Sequence, residues 1–397
     1  MAKTLVIDSS ERTRVPFLRG ILTRSLQEAG LAFENAYRLA DTVREELDTV
    51  PAVSTRELRA RVAQHLAEQY GPAITERYQV SSRSPATILV RSATGEKVPF
   101  SRNRHSLSLI SCSLSAEESN TVTNKLYKHL LDKRCNEVTS RHLGHLTYRY
   151  LHSDKQFGPA VARRYLVWMD FKRGGRPLIV LIGGAPGCGK STVATELANQ
   201  LEVVRTQSTD MLREVMRMMI PERLLPVLHT SSFTAGGALP SREGDSSDDP
   251  DTLVARGYQA QAELLSVALE AVVQRALRER VSLILEGVHV RPAFIDRLPR
   301  DTDALIVPIM LGILKRENLR NRFQGRGAEV PGRRSERYLA HFDAIWSLQS
   351  YLLSEADRAG IPIISNNDKE VVLREIMRII IGMLAAEFAS TPKMVFQ

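Results

Sequence analysis

Leu178-Ile179-Val180-Leu181-Ile182-Gly183-Gly184-Ala185-Pro186-Gly187-Cys188-Gly189-Lys190-Ser191-Thr192 is the stretch whose reading decides the fold. Leu178 to Gly183 is a short apolar run that reads as a buried strand, and Ser191 to Leu201 reads as a helix. Between them, Gly184 to Ser191 fits the spacing G-x-x-x-x-G-K-S in the strand-to-helix context that the motif needs. Glycines let successive backbone N–H groups turn inward. With the positive end of the following helix, those donors form a cradle for phosphate oxygens. Lys190 adds a point charge at the β/γ-phosphates, and the Ser191 hydroxyl is a hard oxygen ligand suited to Mg²⁺. The residues expected to hold ATP are therefore Gly184, Ala185, Pro186, Gly187, Cys188, Gly189, Lys190, Ser191 and Thr192, with Cys188 acting through its backbone rather than its thiol.

Working toward the C-terminus, strands and helices alternate. Strands are expected at 203–207, 283–286, 304–311 and 361–365, and helices at 211–219, 258–280, 335–359 and 371–388. Short apolar strands alternating with helices imply a parallel sheet covered on both faces. The fold class is α/β: a three-layer P-loop NTPase domain over 177–397. Residues 236–252 are rich in Gly, Ser, Asp and Pro, and read as a mobile insertion.

Working toward the N-terminus, the chain repeats itself. Val15-Pro16-Phe17 recurs as Val98-Pro99-Phe100, and Gly71-Pro72-Ala73 with Arg77-Tyr78 recurs as Gly158-Pro159-Ala160 with Arg164-Tyr165. Two landmarks in the same order at similar spacing mark tandem copies of one small α-rich module, 1–85 and 86–172. Each copy reads as a hairpin followed by amphipathic helices, such as Phe33 to Leu47 and Ser54 to Tyr70. Thr55 and Thr139 are the expected N-caps of matching helices.

The chain has 397 residues, is 43% hydrophobic and 25% charged, and carries a formal charge of +9, which suits acidic partners such as phosphorylated metabolites. Three scattered cysteines, Cys112, Cys135 and Cys188, make no disulfide framework and suit a reducing, cytoplasmic setting. No secretory signal or membrane-spanning run is evident, and a homo-oligomer is compatible with the sequence. Aromatic content of 6%, with no stacking platform among the basic residues, argues against nucleic acid.

Further chemistry is expected at the carboxyl ends of the strands, where open parallel sheets bind ligands. Ser208-Thr209-Asp210 ends the second strand; Asp210 is placed to draw on an acceptor hydroxyl or to cap the next helix, and Arg213 to fork onto an acceptor anion. Leu283-Ile284-Leu285-Glu286 ends the third in a carboxylate suited to orient Mg²⁺ or its waters. His289 beyond it, and His229, Ser231 and Ser232, are candidate substrate contacts, though a lone histidine is more often a satisfied structural group. Lys315, Arg316, Arg320, Arg322, Arg326, Arg333, Arg334 and Arg337 form a basic run that reads as a lid over the phosphates, with Arg322 and Arg326 the best candidates for transition-state contacts. His142, His145 and His152 lack the spacing of a metal site.

These residues resemble the 2-phosphoglycerate kinases. The resemblance runs through Gly183 to Thr192, Ser208 to Arg217, Leu228 to Phe233, Gly257 to Gln261, Leu285 to His289, Arg322-Phe323 and Ile361 to Asn366. It implies the reaction ATP plus 2-phosphoglycerate giving ADP plus 2,3-bisphosphoglycerate. The repeats are similar to ATP-cone modules, through Val98-Pro99-Phe100-Ser101-Arg102 and the Gly-Pro-Ala to Arg-Tyr ends; that similarity implies a regulatory nucleotide. The first copy departs from the pattern around Ser9-Ser10-Glu11. The residues leave two other readings open: a kinase of another phosphorylated polyol such as an inositol phosphate, or a nucleotide-responsive regulatory ATPase without a small-molecule acceptor.

Overall fold

A computed structural model of the chain describes residues 4–8, 13–82, 88–133, 135–240, 249–329, 335–388 and 390–396. The chain divides into two compact units, 1–100 with 130–138, and 101–129 with 139–397.

The first unit opens with β1 (Leu5–Asp8) and β2 (Thr13–Pro16), an antiparallel pair with Val6 opposite Val15. The helices α1 (Arg19–Glu28) and α2 (Phe33–Leu47) follow, then β3 (Ala52–Ser54), which pairs parallel to β1, and α3 (Thr55–Tyr70) and α4 (Pro72–Ser82). The buried face of α2 (Ala36, Leu39, Ala40, Val43 and Leu47) has helical spacing and packs with Leu22, Leu26, Val62 and Leu66. The cap of α3 is Ser54 rather than the expected Thr55. Ser54 and Glu57 form a reciprocal capping box, while the Thr55 hydroxyl donates to the Ile7 carbonyl at 3.2 Å.

A second small sheet has the order β5-β4-β6, from β4 (Leu89–Arg91), β5 (Lys97–Pro99) and β6 (Glu137–Thr139). It repeats the order β2-β1-β3, and Gly95 turns its hairpin with φ +89°. The first copy's turn around Ser9-Ser10-Glu11 lies outside the described residues.

In the second unit, α5 (Arg102–Ile110), α6 (Ala116–Asp132, within which the division falls), α7 (Ser140–Ser153) and α8 (Gly158–Gly174) complete a second ββααβαα series. Thr139 caps α7 as expected, accepting from the His142 N–H at 3.1 Å. Leu109, Leu126, Leu151, Tyr165 and Trp168 from these helices belong to the same core as the large sheet. The three segments read from sequence (1–85, 86–172, 177–397) therefore do not coincide with the two packing units.

The large sheet contains β7 (Leu178–Gly183), β8 (Arg205–Ser208), β9 (Leu283–Glu286), β10 (Leu305–Gly312) and β11 (Ile363–Ser365). Its order is β11-β10-β7-β9-β8, with every pairing parallel. Every residue of β7 and β9 is buried, as strands covered on both faces must be. The covering helices are α9 (Lys190–Leu201), α10 (Thr209–Met219), α11 (Pro250–Arg278), the short α12 (Pro292–Ile295), α13 (Arg316–Glu329), α14 (Ser335–Ala340), α15 (Phe342–Arg358) and α16 (Lys369–Glu387); the chain ends in α17 (Pro392–Phe396). Among the described residues no helix is long and apolar enough to cross a membrane.

Three features of the sequence reading change in the structure. The helix expected from Tyr258 begins at Pro250, because Asp249 accepts from the N–H groups of Asp251 and Thr252 and proline occupies the first turn. Of the expected mobile insertion 236–252, residues 241–248 lie outside the described residues; Ala235–Ala238 instead form a 3₁₀ turn with Gly236 buried. The helix expected over 335–359 is two helices, parted at His341, whose ring lies 5.6 Å from Phe233.

Candidate active site

The turn after β7 is shaped by backbone. Gly184, Gly187 and Gly189 have φ of +144°, +90° and +86°, conformations costly for residues with a Cβ. Lys190 opens α9 and folds back, its Nζ donating to the Ala185 carbonyl at 2.9 Å. The turn is also gripped from outside. Asn366, buried just beyond β11, donates from Nδ2 to the Cys188 carbonyl at 2.7 Å. Arg322 reaches the same carbonyl at 3.5 Å and also donates to the carbonyl of Asn366. A trans peptide is planar with its N–H opposite its C=O. Pinning the Cys188 carbonyl outward therefore aims the Gly189 N–H the other way.

The Ser191 hydroxyl donates to Glu286 Oε1 at 2.9 Å, and Glu286 is 7% exposed at the end of β9. A hydroxyl and a carboxylate at a helix start, both hard oxygen donors, fit Mg²⁺ carried in with phosphates. Among the described residues no group of three His, Cys, Asp or Glu could cage a metal ion by itself. Thr192 is exposed, and the Cys188 thiol is buried and free.

Directly after β8 comes α10. Ser208 caps it by accepting from the Asp210 N–H at 3.2 Å, so capping falls to Ser208 and leaves the Asp210 carboxylate exposed. Arg213, 15% exposed, donates from Nη1 to the Thr230 carbonyl at 2.8 Å, and among the described residues its buried Nε has no hydrogen-bond partner. Charge links these groups to the turn. Burial pushes the His289 imidazole down to about 3; Asp210 pulls against that shift, and Arg213 and Lys190 add to it. Lys190, Asp210 and Arg213 therefore all act electrostatically on the same buried ring.

Several expected contacts need correction. His289 is fully buried, with Nδ1 3.0 Å from the Thr209 hydroxyl and Nε2 3.0 Å from Gln261 Oε1; neither nitrogen is left for substrate. Ser232 is buried, 4% exposed. His229 donates from Nε2 to the Ile220 carbonyl at 2.9 Å, tying its loop to the end of α10, and Ser231 accepts from Arg337 at 2.7 Å. Arg322 braces the turn instead of reaching over it. Arg316 pairs with Asp343 and lies over the Phe342 ring, as does Arg320. The Arg326 side chain and residues Arg333 and Arg334 lie outside the described residues. The sequence reading assigned no role to Thr209, Gln261 or Asn366; Thr209 and Asn366, each directly after a strand, carried a local signal.

Comparison with known proteins bears on this arrangement. The Zeta toxin family model matches residues 166–230, which contain the turn and α10. The 2-phosphoglycerate kinase of Pyrococcus horikoshii is 34% identical over 285 residues, 71% of this chain and 90% of that protein. The chain belongs to the 2-phosphoglycerate kinase family. The Thermococcus kodakarensis 2-phosphoglycerate kinase is 35% identical over 281 residues (71% of this chain, 92% of that protein), and that of Methanothermobacter thermautotrophicus is 32% identical over 283 (70% and 89%). In this family member, the turn with Lys190 follows β7, and α10 with Asp210 and Arg213 follows β8, two strands that both pair with β9.

Proposed function

We propose that the chain transfers the γ-phosphoryl group of ATP to the free hydroxyl of 2-phosphoglycerate, giving ADP and 2,3-bisphosphoglycerate. The observation that carries the reading is the turn with Lys190 and α10 with Asp210 and Arg213, following strands that both pair with β9, in a member of this family. The bond from the γ-phosphorus to its bridging oxygen breaks, a new P–O bond forms to the acceptor oxygen, and the hydroxyl proton passes to Asp210. The turn and Lys190 hold the β/γ-phosphates, and Arg213 anchors the acceptor's anionic end. Ser191 and Glu286 would hold Mg²⁺, which when bound supplies charge neutralisation at the phosphates. Catalysis is then mostly positioning and electrostatics.

The two ββααβαα copies fit ATP-cone-like sensors for a regulatory nucleotide, supported by the shared strand order of their sheets. The three free cysteines fit a reducing, cytoplasmic setting.

The test is purified full-length protein with ATP, Mg²⁺ and a panel of 2-phosphoglycerate, 3-phosphoglycerate, glycerate and inositol phosphates, with products read by ³¹P NMR. The highest kcat/KM is expected for 2-phosphoglycerate. ATP consumption indifferent to every acceptor would overturn the reading in favour of a regulatory ATPase. Titrating ADP and ATP in the same assay tests the sensor modules.

A further inference from the structure

We infer that Gln261 and Thr209 are positioning residues for the acceptor: through His289 they lock the start of α10, with Asp210 and Arg213, onto the loop 226–231. The inference rests on the reading that Asp210 and Arg213 serve the acceptor. A closed run of hydrogen bonds joins these residues, and their chemistry fixes its direction.

The Gln261 amide decides that direction. Its Nε2 faces two backbone carbonyls, Val227 at 2.5 Å and Thr230 at 3.2 Å, which can only accept. Its Oε1 therefore faces His289 Nε2 and must accept, so the imidazole proton sits on Nε2. The lone pair left on Nδ1 then accepts from the Thr209 hydroxyl. Thr209, Gln261 and His289 are all 0% exposed, so water cannot substitute for any partner. Thr209 is the first residue of α10, beside Asp210. The Thr230 carbonyl that receives Gln261 also receives Arg213, four residues further along α10, and this closes the ring.

The neighbouring chain is shaped to this relay. A Cβ on Gly287 would lie 1.8 Å from the Thr209 hydroxyl, so the chain leaving β9 passes only without a side chain. Tyr258 stacks on His289 at 6.4 Å and donates to the Val288 carbonyl at 2.8 Å. The charged groups that act on the ring are Asp210, Arg213 and Lys190, and burial outweighs the one carboxylate, so His289 stays neutral across the working range.

The experiment uses the full chain. Thr209→Val and Gln261→Leu should raise the acceptor KM about tenfold while the ATP KM moves less than about twofold. Thr209→Ser, which keeps the hydroxyl, should stay near wild type. Independently of activity, ring ¹⁵N NMR, assigned by the signal lost in His289→Asn, should show the wild-type imidazole neutral with its proton on Nε2 from pH 5 to 8, and Gln261→Leu should lose that fixed tautomer. Both KM values rising together, Thr209→Ser failing like Thr209→Val, or a proton on Nδ1 would each overturn the inference. A wild-type chain that phosphorylated none of the acids would sink the functional reading alone; the spectra would still decide the relay.

Discussion

The turn at 184–191 follows β7 and the wall at Thr209–Arg213 with 226–231 follows β8, two strands that both pair with β9, yet they are built in opposite ways. The turn is one continuous stretch, formed from backbone groups, three positive-φ glycines and the start of α9. The wall is assembled from four separated places: Thr209 and Arg213 on α10, Thr230 on a loop, Gln261 on α11, and His289 beyond β9. A phosphate tail is alike in every nucleotide, so a local backbone motif can hold it. An acceptor differs between kinases, and side chains drawn from several elements can be exchanged one at a time.

The largest effect should come from breaking the turn. Lys190→Ala is expected to lower kcat by about a thousandfold or more with the fold intact by circular dichroism, because a point charge at the transferring group is lost. Near-normal turnover in that variant would remove the mechanism. The matching lesion in the wall is Asp210→Asn. It should lower kcat on the order of a hundredfold or more, with little change in the ATP KM. An equal loss of ATP affinity would mean that the two halves are not separable.

The seal of the second unit can be tested by acid. His289 and His105 are buried and neutral, pushed down to about 3 and about 4, whereas unfolded histidines titrate at 6.5. Below 6.5 the unfolded chain binds more protons than the folded one, so stability falls as pH drops toward those folded values. The loss should be about 1.4 kcal/mol per pH unit for each histidine, read as a falling Tm. His105→Asn and His289→Asn should each flatten the slope; a flat wild-type profile would show that neither ring is sealed. The smallest effect is expected from Asn366→Leu, which removes the shorter of the two hydrogen bonds on the Cys188 carbonyl and should raise the ATP KM about tenfold while sparing the acceptor KM.

Legibility followed the same line. The sheet strands, the turn and Lys190 could be read directly, because apolar runs and glycine spacing are local facts. The enclosure of His289 and the diversion of Arg322 could not. Each depends on which partner arrives from far along the chain: Gln261 is 28 residues from His289, and Asn366 is 178 residues from Cys188. The sequence also showed a repeat. Only the packing revealed that the second copy's helices share a core with the large sheet, because burial is settled by whichever apolar faces meet.

From the residues alone came the α/β class, the phosphate-holding turn, the order of elements and the duplicated front segment, since periodicity and backbone freedom are written residue by residue. Tertiary structure alone decided which polar side chains remain open to a ligand and which are spent on one another. A hydrogen bond is fixed by distance and direction in space, and spacing along the chain carries neither.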